Sequence, residues 1–311
     1  MKTAHRTPTV LAALVAGAFA LTSFGVSAQD ITITHAQGET VLPGVPQKVL
    51  VLDIPSLDTL TALGVDVAGV PGSNMPAYLS KYAGDEYAKV GTLFEPDYEA
   101  INAAEADVIL IGGRSAAKYP ELSAMMPTID MSVDAKNYVE SVKGNVTRLG
   151  EIFGKQSEAA TLIAELEAKF DKLKAISGDA GSALILLTNA GKVSAYGPAS
   201  RVGWLHNEAG FKTVAEDFDE ASHGDVIAFE YILETNPDWL FVIDRDAGVG
   251  QSVAGQAAAQ VLDNELVAQT NAWKNGHVVY LDPAAAYIVS SGYTALNTLV
   301  DQVYEAVSAA Q

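Results

Sequence analysis

What most constrains this chain is a pattern that occurs twice, at a constant offset of 131 residues. YEAINAAEADVILIGGR runs from Tyr98 to Arg114, and FEYILETNPDWLFVIDR from Phe229 to Arg245. In each, an aromatic residue precedes a glutamate (Glu99, Glu230), and an isoleucine follows two positions later (Ile101, Ile232). An aspartate (Asp107, Asp238) and then an arginine (Arg114, Arg245) complete the match. The first half of each segment has helical spacing. The second is a short apolar run, Val108 to Ile111 or Trp239 to Ile243, which reads as a buried strand. Each arginine therefore falls just past the carboxyl end of a strand, where open α/β sheets bind their ligands. Two similar lobes, each with a cation at its binding edge, imply a cleft for an anion.

The rest of the chain fits that frame. From Lys48, the segments KVLVLD, SLDTLTALG and VDVAGVP alternate strand, helix and strand. The first repeat follows, then a helix expected from Ala117 to Met126 and a strand from Thr128 to Met131. A second series starts at Ser182 with ALILLT and passes through Tyr196-Gly197-Pro198, VGWLHNEAG and the second repeat. It continues through the strand Val278 to Leu281 to a final helix from about Thr294 to Ala309. Such βα alternation predicts an α/β fold of two Rossmann-like lobes with mostly parallel sheets. Between the series, Ala159, Leu162, Ile163, Leu166, Phe170, Leu173 and Ile176 are spaced by three and four, predicting one long helix from Ser157 to Ser177. At about 30 Å, capped by Gly178, it would join the lobes and limit how far they close. The expected division is an N-terminal lobe over 29–153, a connecting helix within 154–178 and a C-terminal lobe over 179–311.

The first 28 residues read as a signal peptide rather than part of the fold. Lys2 and Arg6 form a basic start, Leu11 to Val26 is apolar, and Val26-Ser27-Ala28 is a small-residue cleavage site. A membrane anchor would need about 20 unbroken apolar residues, and this run is interrupted by Thr22 and Ser23. The chain has no cysteine, so it carries no disulfide and no lipidated cysteine. A soluble periplasmic protein is expected, monomeric and without membrane insertion. Loss of Lys2 and Arg6 leaves 17 basic against 38 acidic residues, a formal charge of 17 − 38 = −21. That charge argues against nucleic acid or anionic lipid as partners. It also makes arginines gathered in a cleft conspicuous.

Enzyme signatures are poor: there is no nucleophile elbow, no phosphate-binding Gly-x-x-x-x-Gly-Lys and no His-Glu-x-x-His. Gly248-Val249-Gly250 follows a strand but lacks the third glycine of a dinucleotide loop. Of the histidines, His35, His206 and His277 read as ordinary packing or surface residues. His223 differs, lying in the small-residue loop Ala221-Ser222-His223-Gly224-Asp225 that leads into the second repeat. Tyr287 occupies what reads as another loop after a strand, Asp282-Pro283-Ala284-Ala285-Ala286-Tyr287, followed by Ser290-Ser291-Gly292.

At these residues a family resemblance becomes specific. KVLVLDIPSLDTLTALGV, GTLFEPDYEAI with DVILIGGRSAAKY, SAYGPASRVGWLHNEAGF, SHGDVIAFEYI with NPDWLFVIDRD, and VVYLDPAAAYIVSSG together resemble the siderophore-binding family of periplasmic substrate-binding proteins. The similarity is to its ferric catecholate and petrobactin branch, which serves ABC importers. It implies no permanently bound cofactor, the ligand being a ferric siderophore. By position it makes Arg114, Arg201 and Arg245 a basic triad around the anionic complex. It makes His223 and Tyr287 iron ligands, and Glu99 and Glu230 contacts to the permease. One departure stands out: where the family commonly has a bulky residue before the tyrosine and glycines after it, this chain has Ala286-Tyr287-Ile288-Val289-Ser290-Ser291-Gly292.

Physical chemistry agrees with these assignments. Ferric iron is a hard cation served by anionic oxygens. A ligand with only two catechol arms leaves two coordination positions for a phenolate and an imidazole. Arginine stays charged and presents a planar fork of donors to several oxygens. The rivals are a carrier of haem, cobalamin or a hydroxamate complex on the same scaffold, and a secreted hydrolase using His223 with Ser222 or Asp225. A neutral hydroxamate complex would not call for three arginines, and nothing marks partners for a hydrolytic triad. Glu99 and Glu230 could equally serve the helix dipole at their helix starts.

Overall fold

The computed structural model describes residues 1–3, 30–214, 218, 223–252 and 255–311. The apolar stretch of the expected signal peptide, its expected cleavage site after Ala28, and Ala221 and Ser222 lie outside the described residues. An antiparallel hairpin, β1 (Ile31–His35) and β2 (Gly38–Leu42), opens the fold. Then come β3 (Val49–Val51), α1 (Ile54–Ala62), β4 (Gly69–Val70) and β5 (Ala88–Lys89). They are followed by α2 (Tyr98–Ala104), β6 (Val108–Ile111), α3 (Tyr119–Ser123) and β7 (Thr128–Asp130). The five strands after the hairpin form one parallel sheet in the order β5-β4-β3-β6-β7. The order reverses between β3 and β6, the point at which such sheets open a crevice beyond their carboxyl ends. The helix expected over 117–126 is shorter: a 3₁₀ turn at Ala116–Lys118 leads into α3, with proline in its first turn.

Two long helices follow, α4 (Tyr138–Ile152) and the connector α5 (Gln156–Ser177), with Gly178 at the C-cap as expected. The second lobe contains β8 (Ser182–Asn189), β9 (Lys192–Tyr196), α6 (Trp204–Asn207), β10 (Lys212–Thr213), β11 (Asp225–Ile227) and α7 (Phe229–Thr235). It continues with β12 (Trp239–Asp244), α8 (Arg245–Gly248), α9 (Gln256–Leu262), α10 (Asn271–Asn275), β13 (Val278–Tyr280) and α11 (Tyr293–Ala309). Its sheet runs β11-β9-β8-β12-β13, with β10 beside the start of β8.

This second sheet is mixed. β8, β12 and β13 are parallel, but β9 is antiparallel to both β8 and β11. The cause is local: Ala190 (φ 48°) and Gly191 (φ 77°) both take positive φ, the geometry of a two-residue hairpin turn.

The sequence repeat has a structural counterpart. Helices α2 and α7 each span seven residues and end on a left-handed residue, Glu105 or Asn236. Ile101 and Ile232 are buried beneath them. Asp107 accepts from the backbone N–H groups of Gln47 and Lys48 at 2.7 and 2.8 Å, just before β3. Asp238 accepts from that of Ser182 at 2.9 Å, at the start of β8. Each aspartate thus fastens the start of its own repeat's strand, β6 or β12, to the neighbouring central strand.

One apolar core runs through both lobes. It joins Leu57 and Leu110 of the first lobe, Leu166 and Leu173 of the connector, and Ile185 and Phe241 of the second sheet. The final helix α11 lies along α5 and α1, with Lys169 paired to Asp301 at 2.5 Å. No helix among the described residues is long and apolar enough to cross a membrane.

Candidate ligand-binding site

The carboxyl ends of the two sheets face a cleft of about 500 Å³. Asp53, Phe94, Arg114 and Tyr138 line it from the N-terminal lobe, and Tyr196, Arg201, His223 and Tyr287 from the other. Arg114 lies three residues past the end of β6, and Arg245 opens α8 directly after β12. Two other depressions of similar size, around Arg148 and around Glu151, are shallow features of the first lobe's outer surface.

Tyr287 is the hub. The guanidinium carbons of Arg114, Arg201 and Arg245 stand 5.7, 5.0 and 5.5 Å from its ring centre, within cation–π range. Its hydroxyl accepts from Arg245 Nε at 3.0 Å and meets His223 Nε2 at 3.0 Å. Burial and then the three arginines hold the His223 imidazole below its usual pKa. The two groups share one hydrogen bond whose direction is set by the imidazole tautomer. Arg245 does not line the cleft itself; it stands behind Tyr287, with Asn189 Oδ1 at 3.3 Å and Asp246 at 3.8 Å.

Tyr287 was expected in a loop after a strand. It sits instead in a π-helical turn, Ala284–Val289, and is only 6% exposed. Such turns widen a helix locally and concentrate at functional sites. The turn begins with the N–H of Ala285 capped by Asp282 at 2.7 Å. Its far end is forced: Ser290 takes a φ of 33°, a conformation that costs a residue with a Cβ. Gly248, read as part of a loop cluster, lets α8 press against this turn. A Cβ there would come 2.9 Å from the Pro283 carbonyl oxygen and 3.1 Å from Tyr287 Cβ. Gly224 (φ 69°) does the same for His223, because a Cβ would collide with the Ala195 carbonyl of β9.

The cations are poorly neutralised. Burial, and then Arg201, pull the Arg114 pKa down from its usual value. Arg114 donates to the backbone carbonyls of Tyr287 (2.6 Å) and Ile288 (3.0 Å) rather than to an acid. Arg201 donates to the Tyr196 hydroxyl at 3.1 Å, while its Nε is buried without a partner among the described residues. Such a group favours an incoming acceptor. Asp53 accepts from Ser56 as the N-cap of α1, and burial raises its pKa. Burial also pushes the Tyr138 hydroxyl up to about 12; it bonds with Ser290 and Ser291.

The structure therefore brings together all five residues proposed for ligand and metal. Glu99 and Glu230 lie apart from them, exposed in the first turns of α2 and α7. Asp53, Phe94, Tyr138 and Ser290 were not anticipated; only the position of Asp53 just past β3 could have flagged one of them.

A family model described as periplasmic binding protein matches residues 49–285. The chain belongs to the periplasmic binding protein family. Petrobactin-binding protein YclQ of Bacillus subtilis is 38% identical to it over 280 residues, 88% of this chain and 87% of that protein. The crystal structure of YclQ matches with a TM-score of 0.85 at 37% identity, covering 90% of this chain and 99% of that one. Ferric-anguibactin-binding protein FatB of Vibrio anguillarum is 36% identical, covering 88% of this chain and 86% of that protein. The crystal structure of the periplasmic catecholate-siderophore binding protein VctP from Vibrio cholerae matches with a TM-score of 0.83 at 35% identity, covering 88% and 99%. The two-lobe α/β architecture here is the one these structures share.

Proposed function

We propose that this protein captures an anionic ferric siderophore of the catecholate type in the periplasm and delivers it to an ABC importer, without catalysing a reaction. The observation that carries this reading is the group of three arginines around Tyr287, in a protein whose overall charge would repel an anion. Relatives named for petrobactin and ferric-anguibactin binding support the same ligand class.

His223 and Tyr287 are suited to take part in the iron's own coordination. Their ligand atoms stand 3.0 Å apart. That is the edge of an octahedron whose bonds are about 2.1 Å, as for other compact oxygen-bound cations. A complex with four catecholate oxygens would use both residues; one with six would use neither. Of the anion-binding triad, Arg114 and Arg201 meet the complex from the cleft lining, and Arg245 adds its charge through Tyr287. Glu99 and Glu230, exposed on equivalent helices of the two lobes, serve as docking acids for the permease. The division into lobes over 29–153 and 179–311, joined through 154–178, follows from this use of the cleft. Export by a cleaved signal peptide, as a monomer without a lipid anchor, completes the reading.

Titration of intrinsic tryptophan fluorescence with a panel of ferric chelates tests the proposal. Ferric bis- and tris-catecholates should bind far more tightly than a neutral trihydroxamate complex. Equal affinity for the two classes would overturn it.

A further inference from the structure

Phe94 is a large apolar side chain left 57% exposed, and it faces the cleft. A single exposed aromatic residue is unremarkable in itself. This one is held in place. Thr92 Oγ1 accepts from the backbone N–H groups of Phe94 (3.3 Å) and Glu95 (3.0 Å). The N–H of Thr92 donates to the Glu95 carbonyl at 2.9 Å, and that of Asp97 to the Val90 carbonyl at 2.9 Å. The Glu95 carboxylate is paired with Lys118 at 3.0 Å. Gly91, at a φ of 111°, draws the turn so tight that a Cβ would collide with the Glu95 carbonyl. The loop is braced on both sides of a side chain left more than half exposed.

The apolar part of the cleft lies on one wall: beside Phe94, the N-terminal lobe contributes Pro55, Met131, Val133 and Ala135, together with the polar Asp53, Arg114 and Tyr138. The opposite wall presents Arg201, His223 and Tyr287. A ligand that satisfies both walls has flat apolar faces and anionic oxygens along one edge. An aromatic ring carrying adjacent oxygens has that shape, and an aliphatic hydroxycarboxylate does not.

We infer that Phe94, with Pro55 and Val133 lining the same cleft, forms an aryl subsite that stacks one oxygen-bearing ring of the ferric complex and selects aromatic over aliphatic chelators. The inference rests on the ferric catecholate reading above and deepens it. The phenyl face receives the ring, while the ring's oxygens point across the cleft to iron and the arginines. Offset or edge-on aromatic contact adds affinity beyond that of the area buried.

The test uses the whole mature protein, the ferric complex of a linear bis-catecholamide, and Phe94→Ala, Phe94→Leu and Phe94→Tyr beside Arg201→Gln. Phe94→Ala should weaken binding about five- to thirtyfold. Phe94→Tyr should stay within about twofold of the parent, and Phe94→Leu should fall between them. Phe94 is exposed, so none of these changes threatens the fold. An alanine variant that binds like the parent, or a leucine variant equal to it, overturns the aryl subsite. If Arg201→Gln still loses affinity in that case, the subsite alone has failed. If the parent does not bind the complex at all, the ligand class has failed and the subsite with it.

Discussion

Arg114 Nη2 donates to the backbone carbonyl oxygen of Tyr287 at 2.6 Å. A residue of one lobe thereby holds the turn of the other lobe on which the proposed iron ligand sits. The segment beyond it is held from the same side: Thr59 Oγ1 accepts from the N–H of Tyr293 at 3.2 Å, and Asp58 Oδ2 from that of Thr294 at 2.7 Å. The arginines of the cleft are therefore not equivalent.

Arg114→Gln and Arg201→Gln should each weaken binding of a ferric catecholate by about 1.5–3 kcal/mol, the scale of a hydrogen bond to a charged group. They should differ without ligand. Arg114→Gln leaves two carbonyls without their charged donor and should lower Tm by roughly 4–8 °C, while Arg201→Gln should shift it by less than about 2 °C. Scanning calorimetry of the ligand-free proteins checks this. Equal Tm values would remove the structural role of Arg114.

Coordination by Tyr287 must displace the phenol proton. A four-oxygen ferric complex should therefore release about one proton on binding, and a six-oxygen complex about none. Calorimetry in buffers of different ionisation enthalpy measures this directly. Tyr287→Phe should abolish the release and shift the ligand-to-metal charge-transfer band of the four-oxygen complex. The lowered pKa of His223 adds a pH dependence. Its imidazole takes up a proton at lower pH than an ordinary histidine, so acid should weaken affinity for the four-oxygen complex later than the ordinary histidine value would suggest. Charge-transfer bands that are identical in the parent, His223→Ala and Tyr287→Phe would exclude direct coordination.

Asp58 predicts an unusual response to acid. It is fully buried and accepts from Tyr78 Oη at 2.9 Å, and burial raises its pKa to about 6. The folded state therefore binds the proton more tightly than the unfolded chain does. This group's contribution is fully present below about pH 4 and is lost as pH rises through 6, at most about 3 kcal/mol across that window. Asp58→Asn should flatten the stability profile between pH 4 and 6 in urea melts. An unchanged slope would mean that other groups set it.

Glu99 and Glu230 should separate transport from binding. Replacing both with alanine should abolish uptake of the ferric siderophore in cells while leaving affinity in solution unchanged. Each loss of an acid near a helix start should cost only some tenths of a kcal/mol in stability. Normal uptake by the double variant would return both residues to that modest role.

The architecture was legible because its signals are local and periodic. The duplicated segment, the βα alternation and the spacing of the connector appear in the structure as α2–β6, α7–β12 and α5, and both repeat arginines stand at strand ends. The mixed second sheet was missed because its cause is two consecutive positive φ angles, at Ala190 and Gly191, and alanine gives no warning of one. The π-helical turn was missed for a related reason. Ala284 to Val289 is apolar with no helix signature, and its shape comes from Asp282 at one end and the strained Ser290 at the other.

The sequence by itself determined two α/β lobes, one connector and which side chains end up near strand termini, because burial periodicity is written into neighbouring residues. Only the tertiary structure decided how those side chains meet. Tyr287 lies at the centre of three arginines, Asp58 of one lobe caps a helix leading out of the other, and Phe94 faces the cleft more than half exposed. Such relationships join residues up to 236 positions apart. No local pattern encodes them, since they depend on where two separately formed sheets come to rest against each other.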